Sequence, residues 1–200
     1  MKVFIDEEER IDLEDLGIKE IVSKVEEEVK KSGRVVMRVE VDGKPIDEKK
    51  LGEMDLGDAR EIAFITKSVR DLVSESLNDL RIYLPKLVGG LKDIASLFRV
   101  GEFKKGLGLL PKAVEGLGWL IKVFEYTAVI LGVEWSEYKE VDFDRERDEL
   151  IEKMGEISTA LENRDFIRLS DLLAYEIAPT VERWEKLADY LLSLAQQTRH

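Results

Sequence analysis

The fold of the first part of the chain is decided by the stretch Arg34-Val35-Val36-Met37-Arg38-Val39-Glu40-Val41-Asp42-Gly43. Apolar residues at positions 35, 37, 39 and 41 alternate with charged residues at positions 34, 38 and 40. A period of two is typical of a strand with one buried and one solvated face. Asp42-Gly43 is a strong signal for a two-residue turn. We therefore predict a β-hairpin whose second strand covers Lys44 to Asp47.

The residues before this hairpin predict a first hairpin and a helix. Val3-Phe4-Ile5 is expected to form a strand, Glu7-Glu8-Glu9 a solvated turn and Arg10-Ile11-Asp12 a returning strand. Apolar residues then recur at helical spacing between positions 18 and 29, with charged residues on the other side. Asp15 is the candidate N-cap of this helix.

The last strand of this unit is predicted at Glu61-Ile62-Ala63-Phe64-Ile65-Thr66. The resulting order of elements is hairpin, helix, hairpin and final strand. That order resembles the β-grasp, or ubiquitin-like, topology. We therefore expect residues 1–66 to form a small domain with a mixed sheet and one helix.

From Lys67 onward the apolar residues all recur at helical spacing. We expect residues 67–200 to form a mainly antiparallel helical bundle, so the predicted fold class is α+β. Pro85 with Gly89-Gly90, and later Pro179, are expected to kink or interrupt helices. Glycines in the longest stripe each cost about 1 kcal/mol of helix propensity against Ala, and close helix approach would explain them. They are Gly106, Gly108, Gly116 and Gly118.

The composition excludes several classes of site. The 200 residues contain no Cys and one His, His200, at the last position. Disulfides, iron–sulfur clusters, a Ser-His-Asp triad and multi-His metal sites are therefore not expected. A net charge of −12 argues against a nucleic-acid partner. Because neither Gly-Leu-Gly sequence follows a predicted strand, we predict no phosphate loop and no cofactor.

The N-terminal sequence and the most apolar stretch indicate where in the cell the protein is expected. The sequence from Met1 to Glu7 becomes acidic too early for a secretory signal. The apolar stretch 117–133 contains Lys122 and Glu125, and it is shorter than the roughly 20 residues that a membrane helix needs. We therefore expect a cytoplasmic protein without a membrane partner. Its 37% charged residues are typical of thermophile proteins, and an apparent melting temperature below about 60 °C would contradict that hypothesis.

Four acidic residues form the cluster most like a metal site, since carboxylates suit calcium or magnesium. They are Asp142, Asp144, Asp148 and Glu149. An EF-hand loop opening at Asp142 would need Gly in place of Arg147 and Glu in place of Lys153. We therefore interpret the cluster as an acidic first helical turn, which the helix dipole favours, and predict no metal site.

A second polar group lies on an otherwise apolar helix and consists of Asp171, Tyr175, Glu176 and Arg183. Glu176 and Arg183 are one heptad apart and share a helix face. One interpretation is a polar pocket for carboxylate-dependent chemistry. The interpretation that we favour is an ion pair that closes the bundle, because such networks are common without any function.

Four aromatic residues are the candidate interaction surface, because large rings anchor protein interfaces. They are Trp119, Phe124, Tyr126 and Trp135. The alternative is that these rings belong to the core.

The sequence contains no identifiable catalytic set. The function that it favours is a non-catalytic protein-interaction or chaperone-like module, which binds a protein partner through its helical bundle. In size and pattern the helical part resembles flagellin-export and other secretion chaperones. The alternatives are a carboxylate-dependent, magnesium-assisted enzyme and a symmetric homodimer that covers surplus apolar faces.

Overall fold

The computed structural model describes residues 1–10, 13, 16–46, 51 and 59–197. The chain divides into two compact units, Met1–Leu72 and Val73–His200. A small mixed five-stranded sheet occupies the N-terminal part, and a mainly helical region follows. The predicted α+β fold class is confirmed.

The sheet has the strand order β2-β1-β5-β3-β4. Its strands are β1 (Lys2–Ile5), β2 (Glu8–Glu9), β3 (Arg34–Val41), β4 (Lys44–Ile46) and β5 (Glu61–Ser68). Strands β1 and β5 are parallel, and the other neighbours are antiparallel. Helix α1 (Ile18–Lys31) comes between the two hairpins, so the β-grasp-like order of elements is observed.

Helix α1 supplies the other side of the sheet's core. Ile21, Val25 and Val29 recur every four residues and are buried in one cluster with Val3 and Phe64. Lys30 and Lys31 in the last turn stabilise the negative end of the helix dipole. The cluster holds the helix against the sheet through apolar burial, and an ion pair between Glu28 and Arg10 adds to it.

The first hairpin differs from the prediction. Glu8 and Glu9 form strand β2 and pair with Ile5 and Phe4, whereas a solvated turn was expected there. The chain turns earlier, at Asp6, whose φ of 54° reverses its direction. Residues 11, 12 and 15, expected to supply a strand and a helix cap, lie outside the described residues, and the N-cap of α1 is Gly17.

Strand β3 does not keep the predicted alternation along its whole length. Val39 and Val41 are buried as expected, but Val35 and Met37 are 37% and 53% exposed. The register against β5 shifts between Val36 and Arg38, which is the signature of a β-bulge. Because the extra residue reverses the faces, Val36 packs on the core instead of Val35.

The turn between β3 and β4 is the one predicted. Asp42 and Gly43 have φ values of 48° and 74°. Two consecutive positive φ values define the type I′ turn, whose twist matches that of the flanking strands. Asp42 also accepts hydrogen bonds from the backbone N–H groups of Arg60 and Glu61 through one carboxylate oxygen.

The helical region begins at Val69, since Lys67 and Ser68 belong to β5 rather than to a helix as expected. Its helices are α2 (Val69–Arg99), α3 (Phe103–Leu131), α4 (Phe143–Glu162), α5 (Phe166–Asp171), α6 (Ala178–Arg183) and α7 (Glu185–Gln197). Helix α2 runs without a break through Pro85 and Gly89-Gly90, so no restart occurs there. Within the described ranges, no helix has the length and apolar composition that a membrane crossing requires.

The irregularity expected at Pro179 takes the form of a π-helical segment, Leu172–Ile177, between α5 and α6. The N–H of Ala178 donates to the carbonyl of Leu173, five residues earlier. Because proline has no N–H to donate, a wider turn before it accommodates the missing bond. The helix therefore widens instead of ending.

Candidate functional site

Helices α2 and α3 form an antiparallel pair connected by a tight turn. Near the turn, the Phe98 ring lies where a Cβ of Gly106 would be, 2.5 Å from its Cε1. Further along, the Tyr83 hydroxyl lies over Gly116 in the same way. These two glycines permit the predicted close approach of helices. The other two glycines of that stripe have open space around them.

An open groove runs between the two helices and consists of two adjoining depressions of about 540 and 270 Å³. Both depressions share Tyr83, Lys86 and Lys112. The α2 wall of this α2–α3 groove carries Asp79, Ile82, Tyr83, Lys86, Gly90 and Asp93. The α3 wall carries Leu109, Lys112, Ala113, Glu115, Gly116 and Trp119.

Two aromatic rings span one part of the groove. Tyr83 and Trp119 meet edge to face, with ring centroids 5.2 Å apart and planes at 83°. Burial raises the pKa of Tyr83, and the carboxylate of Glu115 adds to the rise. Trp119 is still 45% exposed, so a large part of the indole is available to a ligand. A half-exposed indole on a partly buried ring is the kind of anchor that interfaces use.

Helix α3 is apolar on two faces: one is buried in the helical core, and the other is covered only in part, at Gly116 and Val123. The second face includes Trp119, which is 45% exposed, and Tyr126, which is 66% exposed. Its residues are separated alternately by three and four positions: Leu109, Lys112, Gly116, Trp119, Val123, Tyr126 and Ile130. Such spacing forms a straight seam, the pattern through which one helix packs against another.

The predicted interaction residues divide between this seam and the core. Trp119 and Tyr126 lie on the exposed seam, where the hypothesis needs them. Phe124 is fully buried, with its ring 5.4 Å from that of Trp184. Trp135 is half-buried, 4.4 Å from the ring of Phe143. Phe124 therefore lies in the core, and Trp135 packs against the core.

Sequence reasoning missed the α2 wall of the groove and its charged residues. Lys86 and Lys112 looked like ordinary surface lysines, and the sequence does not say which helices are neighbours. One signal was present: Leu109, Gly116, Val123 and Ile130 recur every seven residues, and Trp119 and Tyr126 repeat that interval three positions later.

The four predicted polar-pocket residues are engaged in different ion-pair sets. Asp171 lies 3.5 Å from Arg99, whose guanidinium also lies 4.8 Å from the Tyr175 ring centroid. Glu176 pairs with Arg168 and Lys153, and Arg183 pairs with Glu146. The structure therefore brings Asp171 and Tyr175 together around Arg99, and it replaces the expected Glu176–Arg183 pair with three other pairs.

Glu176 belongs to a network of four charges. Lys153 lies between Glu176 and Glu156, at 2.8 and 3.0 Å, and Arg168 pairs with the same two carboxylates. Hydrogen bonding to Glu176 and then Glu156 raises the pKa of Lys153 to about 12. Arg168, followed by Lys153, lowers the pKa of Glu156. Each of the four groups pairs with two oppositely charged neighbours, as in an ion-pair network with a structural role.

The acidic cluster at the start of α4 caps and pairs within its own helix. Asp142 accepts a 3.2 Å hydrogen bond from the backbone N–H of Arg145. Arg147 pairs with Asp144 at 2.9 Å and with Asp148 at 2.8 Å. Among the residues that the structure describes, no three His, Cys, Asp or Glu side chains are placed to hold a metal. Asp142 therefore caps α4, and Arg147 neutralises Asp144 and Asp148.

Two protein-family models match the chain. A family model described as a domain of unknown function, DUF8042, matches residues 75–187, which include every residue of the α2–α3 groove. A second model, described as the TP0873 N-terminal domain, matches residues 1–68. The comparison with curated proteins and the comparison with solved structures gave no match. Because the first model covers more than half of the 200 residues, the chain belongs to the DUF8042 family.

Proposed function

We propose that the chain is a non-catalytic protein-interaction module with a chaperone-like role, and that it holds a helix of a partner protein in the α2–α3 groove. The observation that carries this proposal is the second apolar face of α3. Trp119, Tyr126 and Ile130 remain exposed there at helix-packing intervals. Contiguous apolar surface of this kind on a folded protein typically marks an interaction site.

The shape of the groove also supports a helical ligand. A Cβ at Gly90 would meet no atom of the described residues within 4 Å, so the α2 wall is open at this position. Amphipathic helices bind in grooves between two helices by placing apolar side chains at intervals of three and four residues. The seam of α3 has these same intervals.

The enzyme hypothesis has less support. Of its nominated side chains, Glu176 and Arg183 are held by oppositely charged neighbours at 2.8 and 2.9 Å. A catalytic acid or base must reach a substrate proton, and the carboxylate of Glu176 is occupied by Lys153 and Arg168. The homodimer hypothesis is tested by sedimentation of wild type, Gly90→Leu and Gly89→Leu.

Two adjacent glycines give a matched test. Gly90 lines the groove and Gly89 does not line it, yet a Cβ at either would meet no described atom within 4 Å. Gly90→Leu should fill the groove, whereas Gly89→Leu should leave it open, and both gain helix propensity. The measurement is co-purification from the source cell with quantitative mass spectrometry. We expect one stoichiometric protein that wild type and Gly89→Leu recover and Gly90→Leu loses. Equal recovery by both variants would overturn the proposal.

A further inference from the structure

The charges along the α2 wall alternate in sign at a fixed interval. Asp79, Lys86 and Asp93 follow each other every seven residues, so they lie on one line of the helix about 10 Å apart. Lys112 stands on the α3 wall and shares both depressions of the groove with Lys86. The centre of the groove therefore carries Lys86, Lys112 and Glu115, a small excess of positive charge, and its two ends on α2 are negative.

The two central lysines have no partner within the part of the chain that the structure describes. Elsewhere on α2, Lys92 pairs with Glu182 at 2.5 Å and Arg81 with Asp189 at 2.7 Å. Lys86 and Lys112, by contrast, make no ion pair or side-chain hydrogen bond with any described residue. Both lysines line the groove, so their ammonium groups are available to the carboxylates of a ligand.

The α2–α3 hairpin also differs from the rest of the chain in its charge. Between Val69 and Leu131 the sequence has nine basic and seven acidic residues, whereas the whole chain has a net charge of −12. An acidic ligand is therefore repelled less by this hairpin than by the remainder of the molecule.

We propose that the groove binds an amphipathic partner helix with acidic side chains at its centre and basic side chains one heptad away on either side. This inference rests on the proposed function and specifies its ligand. The apolar face of that helix lies against the seam of α3, and its central carboxylates pair with Lys86 and Lys112. Its basic residues lie next to Asp79 and Asp93, which gives the helix one register.

A second copy of this chain fits the groove less well. If two copies of the groove met antiparallel about Lys86, each lysine would face the same lysine of the other copy. The negative net charge of both copies adds to the repulsion. Charge complementarity therefore favours a different protein as the ligand.

The probes are two designed peptides, each about 21 residues long and therefore about 30 Å as a helix. Both have Leu at the two seam positions of three heptads. One flank carries Lys, Glu and Lys in successive heptads in the first peptide, and Glu, Lys and Glu in the second. Binding of labelled peptide to the full chain is measured by fluorescence anisotropy at low and high salt.

We expect the Lys-Glu-Lys peptide to bind at least about tenfold more tightly than the Glu-Lys-Glu peptide, a difference expected from two charge pairs that are partly shielded from water. The variant Lys86→Glu/Lys112→Glu should abolish this preference, because the charge reversal at the centre then offsets the pairs at Asp79 and Asp93. Lys104→Glu/Lys122→Glu makes the same change in net charge on exposed residues of α3 outside the groove, and it should keep the preference. Circular dichroism confirms that each variant is folded.

Other outcomes would overturn the inference in distinguishable ways. Equal binding of both peptides, abolished by Gly90→Leu, would contradict the charge pattern and leave the proposed function standing. If neither peptide binds at 100-fold excess, this class of ligand is rejected. The co-purification with Gly90→Leu and Gly89→Leu would then still decide the proposed function. If wild type sediments as a dimer that Gly90→Leu dissociates and Gly89→Leu preserves, the groove binds a second copy instead.

Discussion

The indole nitrogen of Trp184 donates a hydrogen bond of 3.0 Å to Oε2 of Glu146, across the core of the helical unit. The other carboxylate oxygen accepts from Nε of Arg183 at 2.9 Å. Glu146 is only 6% exposed, and Trp184 is fully buried. A buried carboxylate is tolerated here because both of its oxygens have donors.

Replacing Glu146 with Ala should therefore destabilise the helical unit. The indole N–H of Trp184 would lose its acceptor in a buried place, which typically costs about 1–3 kcal/mol. The measurement is the free energy of unfolding in urea, with Glu149→Ala as a control on the exposed side of the same helix. In a Trp184→Phe background, which has no indole donor, Glu146→Ala should cost less. An equal cost in both backgrounds would contradict the role assigned to this hydrogen bond.

Sequence reasoning found the local features of the fold and missed those that depend on distant partners. The turn at Asp42-Gly43 was predictable because two adjacent residues determine its φ values. The bulge near Met37 was not, because it is a shift of register against β5, which is distant in sequence. Glu146 was overlooked for the same reason: its donors are 37 and 38 residues away.

The candidate site shows a similar division. Trp119 and Phe124 are five residues apart, so they lie on opposite sides of α3, and only one of them could be core. The spacing places these two rings on different faces of α3, but both faces are apolar. Which face is buried depends on the packing of α4 and α7 against it, which the sequence of α3 does not contain.

A second stability prediction concerns two turns with the same geometry. Gly101 and Arg164 have φ values of 80° and 53°. In each turn the next residue, Glu102 or Asp165, donates its N–H to the carbonyl five residues earlier, as in a Schellman motif. The Phe residues that begin the following helices stack with ring centroids 4.1 Å apart. The second turn thus has an arginine where the first has the preferred glycine.

Replacing Arg164 with Gly should therefore stabilise the protein by about 0.5–1 kcal/mol, because the strain of a left-handed residue exceeds the added entropy of glycine in the unfolded chain. Thermal unfolding by calorimetry measures the effect. Arg164→Ala is the matched control, since it removes the charge but keeps the Cβ, and it should give no gain. If Ala stabilises as much as Gly, the gain comes from the lost charge and the strain argument is wrong.

The four-charge network predicts a dependence of stability on pH. Lys153, followed by Arg168 after the opposing effect of burial, lowers the pKa of Glu176, and Arg168 with Lys153 lowers the pKa of Glu156. A carboxyl with a lower pKa in the folded state stabilises the protein above its unfolded pKa, and this contribution is lost as the pH falls through the folded pKa. For Lys153, with a pKa of about 12, the contribution is lost as the pH rises through that value.

We therefore expect the melting temperature of wild type to fall more between pH 7 and pH 3 than that of Glu176→Gln. The variant has already lost the contribution of Glu176 at pH 7, so it has less to lose on acidification. Differential scanning calorimetry across this range measures the difference. In 1 M salt the two pH profiles should approach each other, because these partly exposed charges are screened. Parallel profiles at low salt would show that the network contributes nothing to folding.

Asp6 gives a prediction for the sheet unit. Its carboxylate accepts from the backbone N–H of Thr66 at 2.7 Å, from the Thr66 hydroxyl at 2.8 Å and from Nη2 of Arg34 at 3.0 Å. Burial alone would raise the pKa of Asp6, but the hydrogen bonds from Thr66 and the charge of Arg34 outweigh it and lower the pKa. Asp6 thereby links the end of β1 to β5 and β3.

Asp6→Asn tests the charge of this link without changing the backbone preference, because Asn tolerates the positive φ of 54° as Asp does. We expect the Thr66 amide to exchange with solvent about fivefold faster, which corresponds to about 1 kcal/mol for one weakened hydrogen bond. Hydrogen exchange followed by NMR measures this rate, with Glu7→Gln on the exposed neighbour as the control. The difference in Thr66 exchange rate between wild type and Asp6→Asn should narrow as the pH falls through the lowered pKa of Asp6. At that pH the wild-type carboxylate becomes neutral too. If this difference in exchange rate stays constant down to pH 2, the geometry of the Asp6 side chain, and not its negative charge, links the strands.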